Sequence, residues 1–276
     1  MKNQLRLSTL LASSLVLLAA FSPMLTIVNP IMAPTMNLLN SINGTAYSTN
    51  WSGYAVTAAS GSVTSAAGSW TVPTVTGTSS GQYAAFWVGI DGANSETVEQ
   101  TGVLAETTRS GSRGTTTTYY AWYEFYPSES IIQITKANSG AAATVKPSDT
   151  ISASVTYASG TTSPFTLSIT DGTQGWTFTI TGSQSGATES SAEWIVEAPS
   201  SNSGVLPLAD FGTVAFTGCT AKVGATTGPI SSFTYEQINM VTNRGVAKDT
   251  TSSLSSNGEG FSVTWKSSGS GGFFGF

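Results

Sequence analysis

From Asn50 onward the chain reads as a succession of short segments rich in β-branched and aromatic residues, each closed by Gly, Ser, Thr or Asn. Tyr83–Ile90, Thr97–Val103, Thr117–Tyr126, Ile151–Tyr157, Phe165–Thr170, Trp176–Thr181, Ala192–Glu197, Thr213–Val223 and Phe261–Trp265 all have this form. Such spacing, with no helical periodicity between the segments, predicts an all-β sandwich or barrel rather than alternating strands and helices. Only Tyr235 to Asn243 has the pattern of a short helical turn. No linker, repeat or charge block divides residues 50–266, so they are expected to form a single β domain. The Gly/Ser-rich 267–276 is expected to be a loose tail.

Composition narrows the chemistry. The 276 residues include 10 Lys and Arg, 15 Asp and Glu and no His, a formal charge of −5. An acidic chain without a basic cluster is a poor partner for nucleic acid. Without His the commonest general base and the commonest zinc ligand are missing, and a single Cys excludes both a thiolate zinc site and an intrachain disulfide. Hydrolytic chemistry here has to come from carboxylates, amides or hydroxyls. A metal or other cofactor is neither implied nor needed.

The N-terminus has an export pattern. Lys2 and Arg6 precede an apolar run from Leu10 to Phe21, read as a signal peptide over 1–22 or an uncleaved anchor. A second uncharged stretch, Met24 to Met36, falls within 23–49, read as a short pro-segment or linker. The expected location is extracellular, with a membrane contact only if the N-terminal run is retained.

Strand alternation sorts side chains into two faces. Tyr120, Trp122, Glu124 and Tyr126 share one face, while Tyr119, Ala121, Tyr123 and Phe125 form a core side. Trp87 and Asp91 are expected on one face with Gly89 leaving room between them. Glu193 and Glu197 share a face, opposite Trp194 and Val196, and Glu99 and Gln100 point to opposite faces. Carboxylates are scarce, so those on aromatic faces are informative. The acid–base candidates are Asp91, Glu96, Glu99, Glu106, Glu124, Glu129, Glu189, Glu193 and Glu197, of which Glu96, Glu106 and Glu129 lie beside turns and read as solvated. Trp51 and Trp70 read as core, and Cys219 as a small buried hydrophobe.

Six blocks occur in order: Asn50-Trp51-Ser52-Gly53-Tyr54, Ser69-Trp70-Thr71-Val72-Pro73, Trp87-Val88-Gly89-Ile90-Asp91-Gly92, Gln100-Thr101-Gly102-Val103, Ala121-Trp122-Tyr123-Glu124-Phe125-Tyr126-Pro127 and Ala192-Glu193-Trp194-Ile195-Val196-Glu197. The series resembles the eqolisin family of glutamic peptidases, from Asn50 to Trp265. The resemblance implies an antiparallel sandwich of two curved sheets, concanavalin-like, with the active site on the concave sheet. It implies a catalytic pair at Gln100 and Glu193, the Glu acting as general base on a water and then as acid, the Gln amide donating to the oxyanion. Trp87, Asp91, Trp122, Glu124 and Tyr126 are then expected to line a cleft for extended or unfolded polypeptide. Glu197 is the rival base.

Leu104 stands where the family commonly has Asp, Phe125 replaces an aromatic that is often Trp, and the pro-segment is shortened to at most Met24 to Ala46. Two other readings remain: a lectin-like carbohydrate-binding module, and a glycosidase using two carboxylates such as Glu124 and Glu193. An amide does not titrate, and a Glu base suits acid conditions, so maximal activity is expected well below pH 5.

Overall fold

The computed structural model describes residues 31–42, 44–110, 114–140 and 142–269. The expected signal peptide lies outside the described residues, as do residues 270–276 of the tail. In chain order the strands are β1 (Leu38–Ile42), β2 (Thr45–Ser48), β3 (Trp51–Thr57), β4 (Val63–Thr71), β5 (Tyr83–Ile90), β6 (Val98–Arg109), β7 (Thr115–Tyr126) and β8 (Ile132–Gln133). After a single helical turn, α1 (Lys136–Ser139), come β9 (Thr150–Tyr157), β10 (Phe165–Asp171), β11 (Trp176–Gly182) and β12 (Ser191–Glu197). The short β13 (Ser200–Ser201) and β14 (Gly204–Val205) precede β15 (Thr213–Val223), β16 (Thr226–Pro229), β17 (Tyr235–Met240), β18 (Asp249–Thr251) and β19 (Phe261–Trp265).

These strands build the expected all-β, antiparallel sandwich. One sheet has the order β1-β2-β17-β3-β12-β5-β6-β7-β8, the other β11-β10-β9-β4-β15-β19-β18. Every pairing along both is antiparallel except β17 with β2. The segment 235–243 is a correction: Tyr235–Met240 is a strand, not a helical turn. It fills the slot between β2 and β3, where its backbone groups are satisfied on both sides, and tertiary pairing overrides a weak local preference.

The apolar residues between the sheets follow the alternation read from sequence. Tyr123, Phe125, Trp194 and Val196 face inward, with Phe86 and Val88 of β5, and meet Trp70, Ile151, Val155 and Phe216 from the second sheet. Trp194 ties the layers together. Its indole N–H donates to the carbonyl of Ala67 on β4 at 2.8 Å. Its ring lies so close to Gly68 that a Cβ there would sit 2.7 Å from Cδ1. Cys219 is buried in this core.

The other face of the nine-stranded sheet is also buried. A second apolar cluster, with Trp51, Trp87, Leu104, Trp122 and Ile195, lies outside the sandwich and includes Ala33. Trp70 and Trp51 are both buried in apolar clusters as expected, Trp70 between the sheets and Trp51 in this outer cluster. Residues 31–49, expected as pro-segment or linker, contribute β1 and β2 to the sheet edge and lay residues 31–36 against that outer face. The tail begins docked: Leu208 N–H donates to the Ser268 carbonyl at 3.0 Å.

Trp194→Phe is expected to lose the cross-layer hydrogen bond at a cost of roughly 1–3 kcal/mol, and Trp194→Ala about 3–5 kcal/mol. Denaturant unfolding of the two variants checks this; a Trp194→Phe variant as stable as wild type would mean that the Ala67 bond contributes nothing.

Candidate active site

The site is built on the outer face by cross-strand register, which carries side chains in line across a sheet. One row runs Glu236, Ala55, Glu193, Gly89, Gln100, Glu124 across β17, β3, β12, β5, β6 and β7. The next, two residues along each strand, runs Gly53, Ile195, Trp87, Gly102, Trp122. A third runs Trp51, Glu197, Ala85, Leu104, Tyr120. Glu193 and Gln100 are therefore two strands apart, about 10 Å between backbones, with only Gly89 between them. A Cβ on Gly89 would lie 2.9 Å from the Trp87 ring and 3.2 Å from the Gln100 Cβ. Gly102 admits Trp87 in the same way: a Cβ there would be 2.6 Å from that of Trp87.

Gln100 is fully buried, and its amide nitrogen has two partners. Nε2 donates to Glu124 Oε2 and to the backbone carbonyl of Ala33, both at 2.9 Å. The Ala33 N–H in turn donates to Glu124 Oε2 at 3.3 Å. Glu197 is buried in the third row and accepts the Trp87 indole N–H at 2.8 Å. Trp87 meets Trp51 edge to face at 4.8 Å between centroids. Tyr126 is half-buried at the rim, opposite Val98.

Register brings Gln100, Glu193, Trp87, Trp122, Glu124 and Tyr126 to the same face. Asp91 is the exception and a correction. It follows the last residue of β5 with φ 70°, a left-handed conformation that breaks the strand alternation. Its carboxylate does not join Trp87. It accepts the backbone N–H groups of Thr188, Glu189 and Ser190 at 2.7, 2.9 and 2.9 Å, and both neighbouring hydroxyls. Asp91 thus shapes the turn that leads into β12 and Glu193. Of the residues read as solvated, Glu96 and Glu129 are exposed, whereas Glu106 is half-buried and accepts the Tyr83 hydroxyl at 3.0 Å. Leu104 is fully buried beside Ala85 and Tyr120, an apolar residue in an apolar cluster.

The sequence reading passed over Ala33 and Asn50. Ala33 acts through its backbone, which no side-chain pattern reports; the only hint was an uncharged stretch with Pro30 and Pro34, residues that disfavour helix and favour extended chain. Asn50 opens a recognised block, but its part becomes visible only in space: its amide donates to the Thr35 carbonyl and accepts the Asn37 N–H.

Electrostatics follow from burial. Glu193 has no protein hydrogen-bond partner within bonding geometry on either oxygen. Desolvation raises its pKa well above the usual range, with Asp91 and Glu99 adding to the rise and Ser191 and the Ala93 amide opposing it. Glu124 is raised by burial and by Glu197, against the donors Ala33 and Gln100. Glu197 is raised by burial, against Trp87, Trp51, Asn50 and Lys248. Glu99, on the core side, is raised by burial and by Asp91 and Glu189. Asp249, fully buried under Ser52 and the Met240 N–H, is pushed from 3.8 to about 7 by desolvation. Among the described residues no cluster of His, Cys, Asp and Glu could hold a metal ion, and no helix is long and apolar enough to cross a membrane.

The sequence profile described as the peptidase A4 family matches residues 49–265. The chain belongs to that family, the eqolisins of the resemblance above. Aspergillopepsin-2 of Aspergillus niger is 36% identical over 149 residues, a match covering 53% of this chain and 49% of that protein. Among solved structures, Scytalido-glutamic peptidase with a peptide-based transition-state analogue superposes with a TM-score of 0.62 at 23% identity, covering 79% of this chain and 98% of the other. Aspergilloglutamic peptidase from Aspergillus niger does so with a TM-score of 0.55 at 29% identity, covering 67% and 99%.

The buried carboxyls predict how stability varies with pH. Each binds its proton more tightly folded than unfolded, so stability is full below the unfolded pKa and falls as pH rises toward the folded one. For Asp249 that window runs from about 4 to about 7 and corresponds to roughly 4 kcal/mol. Lys248, pulled down to about 8 by burial, changes charge only above it. The thermal midpoint is expected to be higher at pH 4 than at pH 7, with a shallower slope in Asp249→Asn. A midpoint that falls on acidification contradicts this.

Proposed function

We propose that this eqolisin is an exported endopeptidase that hydrolyses peptide bonds of extended or unfolded polypeptides under acid conditions, with Glu193 and Gln100 as its catalytic pair. One observation carries the reading: a peptide carbonyl, that of Ala33, already rests on the Gln100 amide at 2.9 Å, in the row that holds Glu193. The related structure solved with a peptide-based transition-state analogue is consistent with a polypeptide substrate.

In the proposed reaction, ionised Glu193 takes a proton from a water whose oxygen attacks the scissile carbonyl carbon. The Gln100 N–H donates to the oxygen as it becomes an oxyanion; being neutral, it does so at any acidity. The Glu193 proton then passes to the departing nitrogen, the C–N bond breaks, and the carboxylate is regenerated. Glu124 holds the second Gln100 N–H, which fixes the amide so that its nitrogen, not its oxygen, faces the substrate. Burial disfavours the charged form of Glu193, and access of water to the site relieves that desolvation.

Two features weigh against the other readings. Glu124 and Glu193 are three strands apart with Gln100 between them, and Glu124 Oε2 already accepts the Gln100 amide and the Ala33 N–H, so it is occupied as a support of Gln100 rather than presented as the second of two free carboxyls that a glycosidase needs. A carbohydrate-binding face would leave a buried amide in contact with a peptide carbonyl unexplained.

The test is cleavage of unfolded casein at acid pH with pepstatin present. Glu193→Gln is expected to reduce kcat at least 100-fold, and Gln100→Ala about 100–1,000-fold, with folding unchanged by circular dichroism. Full activity in either variant would remove it from the catalytic pair.

A further inference from the structure

Among the described residues Lys248 is the one basic side chain that is buried, 4% exposed. It sits just before β18, where backbone bonds fix the start of its side chain. Its N–H donates to the Met240 carbonyl at 2.8 Å, and its own carbonyl accepts the N–H groups of Lys266 and Ser267 at 2.8 and 3.0 Å. The aliphatic stem runs beneath Gly269, where a Cβ would lie 2.8 Å from the lysine Cε. The ammonium donates to the Thr49 carbonyl at 3.1 Å. Among the described residues that is one acceptor for an ammonium with three N–H donors.

The acids nearest in effect, Asp249 and Glu197, do not complete the set, because the hydrogen bonds of each go elsewhere. Asp249 accepts the Met240 N–H on Oδ1 and the Ser52 hydroxyl on Oδ2. Glu197 accepts the Trp87 indole N–H on Oε2, and its Oε1 has no hydrogen-bond partner. Burial pushes Asp249 up to about 7 and Glu197 well above the usual carboxylate range, and pulls Lys248 down only to about 8. In acid both carboxyls are therefore neutral while the ammonium is charged, and a buried charge without a paired anion is a costly arrangement. Lys248 also lines a recess of about 370 Å³, with Leu206, Pro207 and Val241 as apolar walls and Thr49, Thr242 and Asn243 as polar ones. None of the residues around it belongs to the three rows of the active site.

We propose that this recess is a binding site for a small monocarboxylate, whose carboxylate completes the donor set of Lys248 and whose carbon body packs against Leu206 and Val241. One ammonium calls for one negative charge, and apolar walls call for an organic body rather than a bare inorganic anion. The recess is at the lower end of small-ligand sites, about 300–1,000 Å³, which fits a ligand the size of one amino acid. An ammonium and a carboxylate brought together away from water form short, charge-assisted hydrogen bonds. The ligand must also keep its charge in acid, and an α-carboxyl, with an unperturbed pKa of about 3.3–3.7, does so. No covalent bond changes. The site does not rest on the peptidase reading, since it shares no residue with Glu193 and Gln100.

The probe is N-acetylalanine, with N-acetylalanine methylamide as its neutral counterpart, titrated into the full chain at about pH 5, where the acid is ionised. The acid is expected to bind at least about tenfold more tightly than the amide, the scale of one charge-assisted hydrogen bond. Lys248→Met keeps most of the stem without the charge and is expected to lose at least about tenfold in affinity, whereas Glu193→Gln binds as wild type does. Should Lys248→Met fail to fold, amide chemical shifts of the wild type decide: those of Thr49, Val205 and Val241 move on titration, and those of Gln100 and Glu193 stay. Equal affinity for acid and amide overturns the proposal. So does a folded Lys248→Met that binds like wild type, or shifts confined to Gln100 and Glu193. Inorganic phosphate that binds as tightly as N-acetylalanine overturns the carboxylate class. If the acid binds at Lys248 while Glu193→Gln still cleaves casein fully, the site stands and the catalytic pair fails.

Discussion

The central strands of the nine-stranded sheet are buried on both faces, and most of what is distinctive about this protein follows from that. Antiparallel sheets usually keep one face in water. Here β3, β12, β5, β6 and β7 pack Trp194, Phe86 and Tyr123 against the second sheet, and Trp51, Trp87 and Trp122 against a cover of their own chain. The outer face is aromatic because it is covered, and it can be covered because residues 31–37 satisfy their backbone groups on side chains that rise from it. With that cover in place the outer face is a second core.

Burial on both faces also explains the electrostatics. Carboxyls at Glu99, Glu124, Glu193, Glu197 and Asp249 have little solvent to stabilise their charge, so their pKa values move upward. A chain with few ionisable groups has placed a third of its acids where burial favours the protonated form. Burial disfavours the charged form of each of these groups, Glu193 among them. The upward shifts share a physical cause, the cost of a charge without water.

The family blocks acquire distinct jobs when seen together. Gly89 and Gly102 are spacers that admit Trp87 and leave Glu193 and Gln100 facing the same strip of sheet. Glu197 fixes the Trp87 ring through its indole N–H. Asn50 and Trp51 hold the cover rather than the chemistry. The Asp91 carboxylate, read as part of the cleft, organises the turn before β12 instead.

Much of this was legible in the sequence because strand alternation has a period of two and is set by local sterics. It assigned Trp194 and Val196 to one face and Glu193 and Glu197 to the other, and it separated Glu99 from Gln100, all as found. The alternation failed where a backbone dihedral broke it, at Asp91, and where pairing across the sheet decided the element, at Tyr235–Met240. Strand alternation could not say that Glu193 and Gln100 share one row, because register between strands 93 residues apart is a property of the sheet; only the family resemblance pointed to the two together. Nor could it reveal that Ala33 lies on Gln100: a methyl side chain carries no signal, and the contact is made by backbone atoms that every residue possesses. The sequence by itself determined the fold class, the faces and the supply of carboxyl and amide side chains, since these depend on side-chain type and local period. Only the tertiary structure decided which groups meet, which of them are denied water, and what part of the chain covers them.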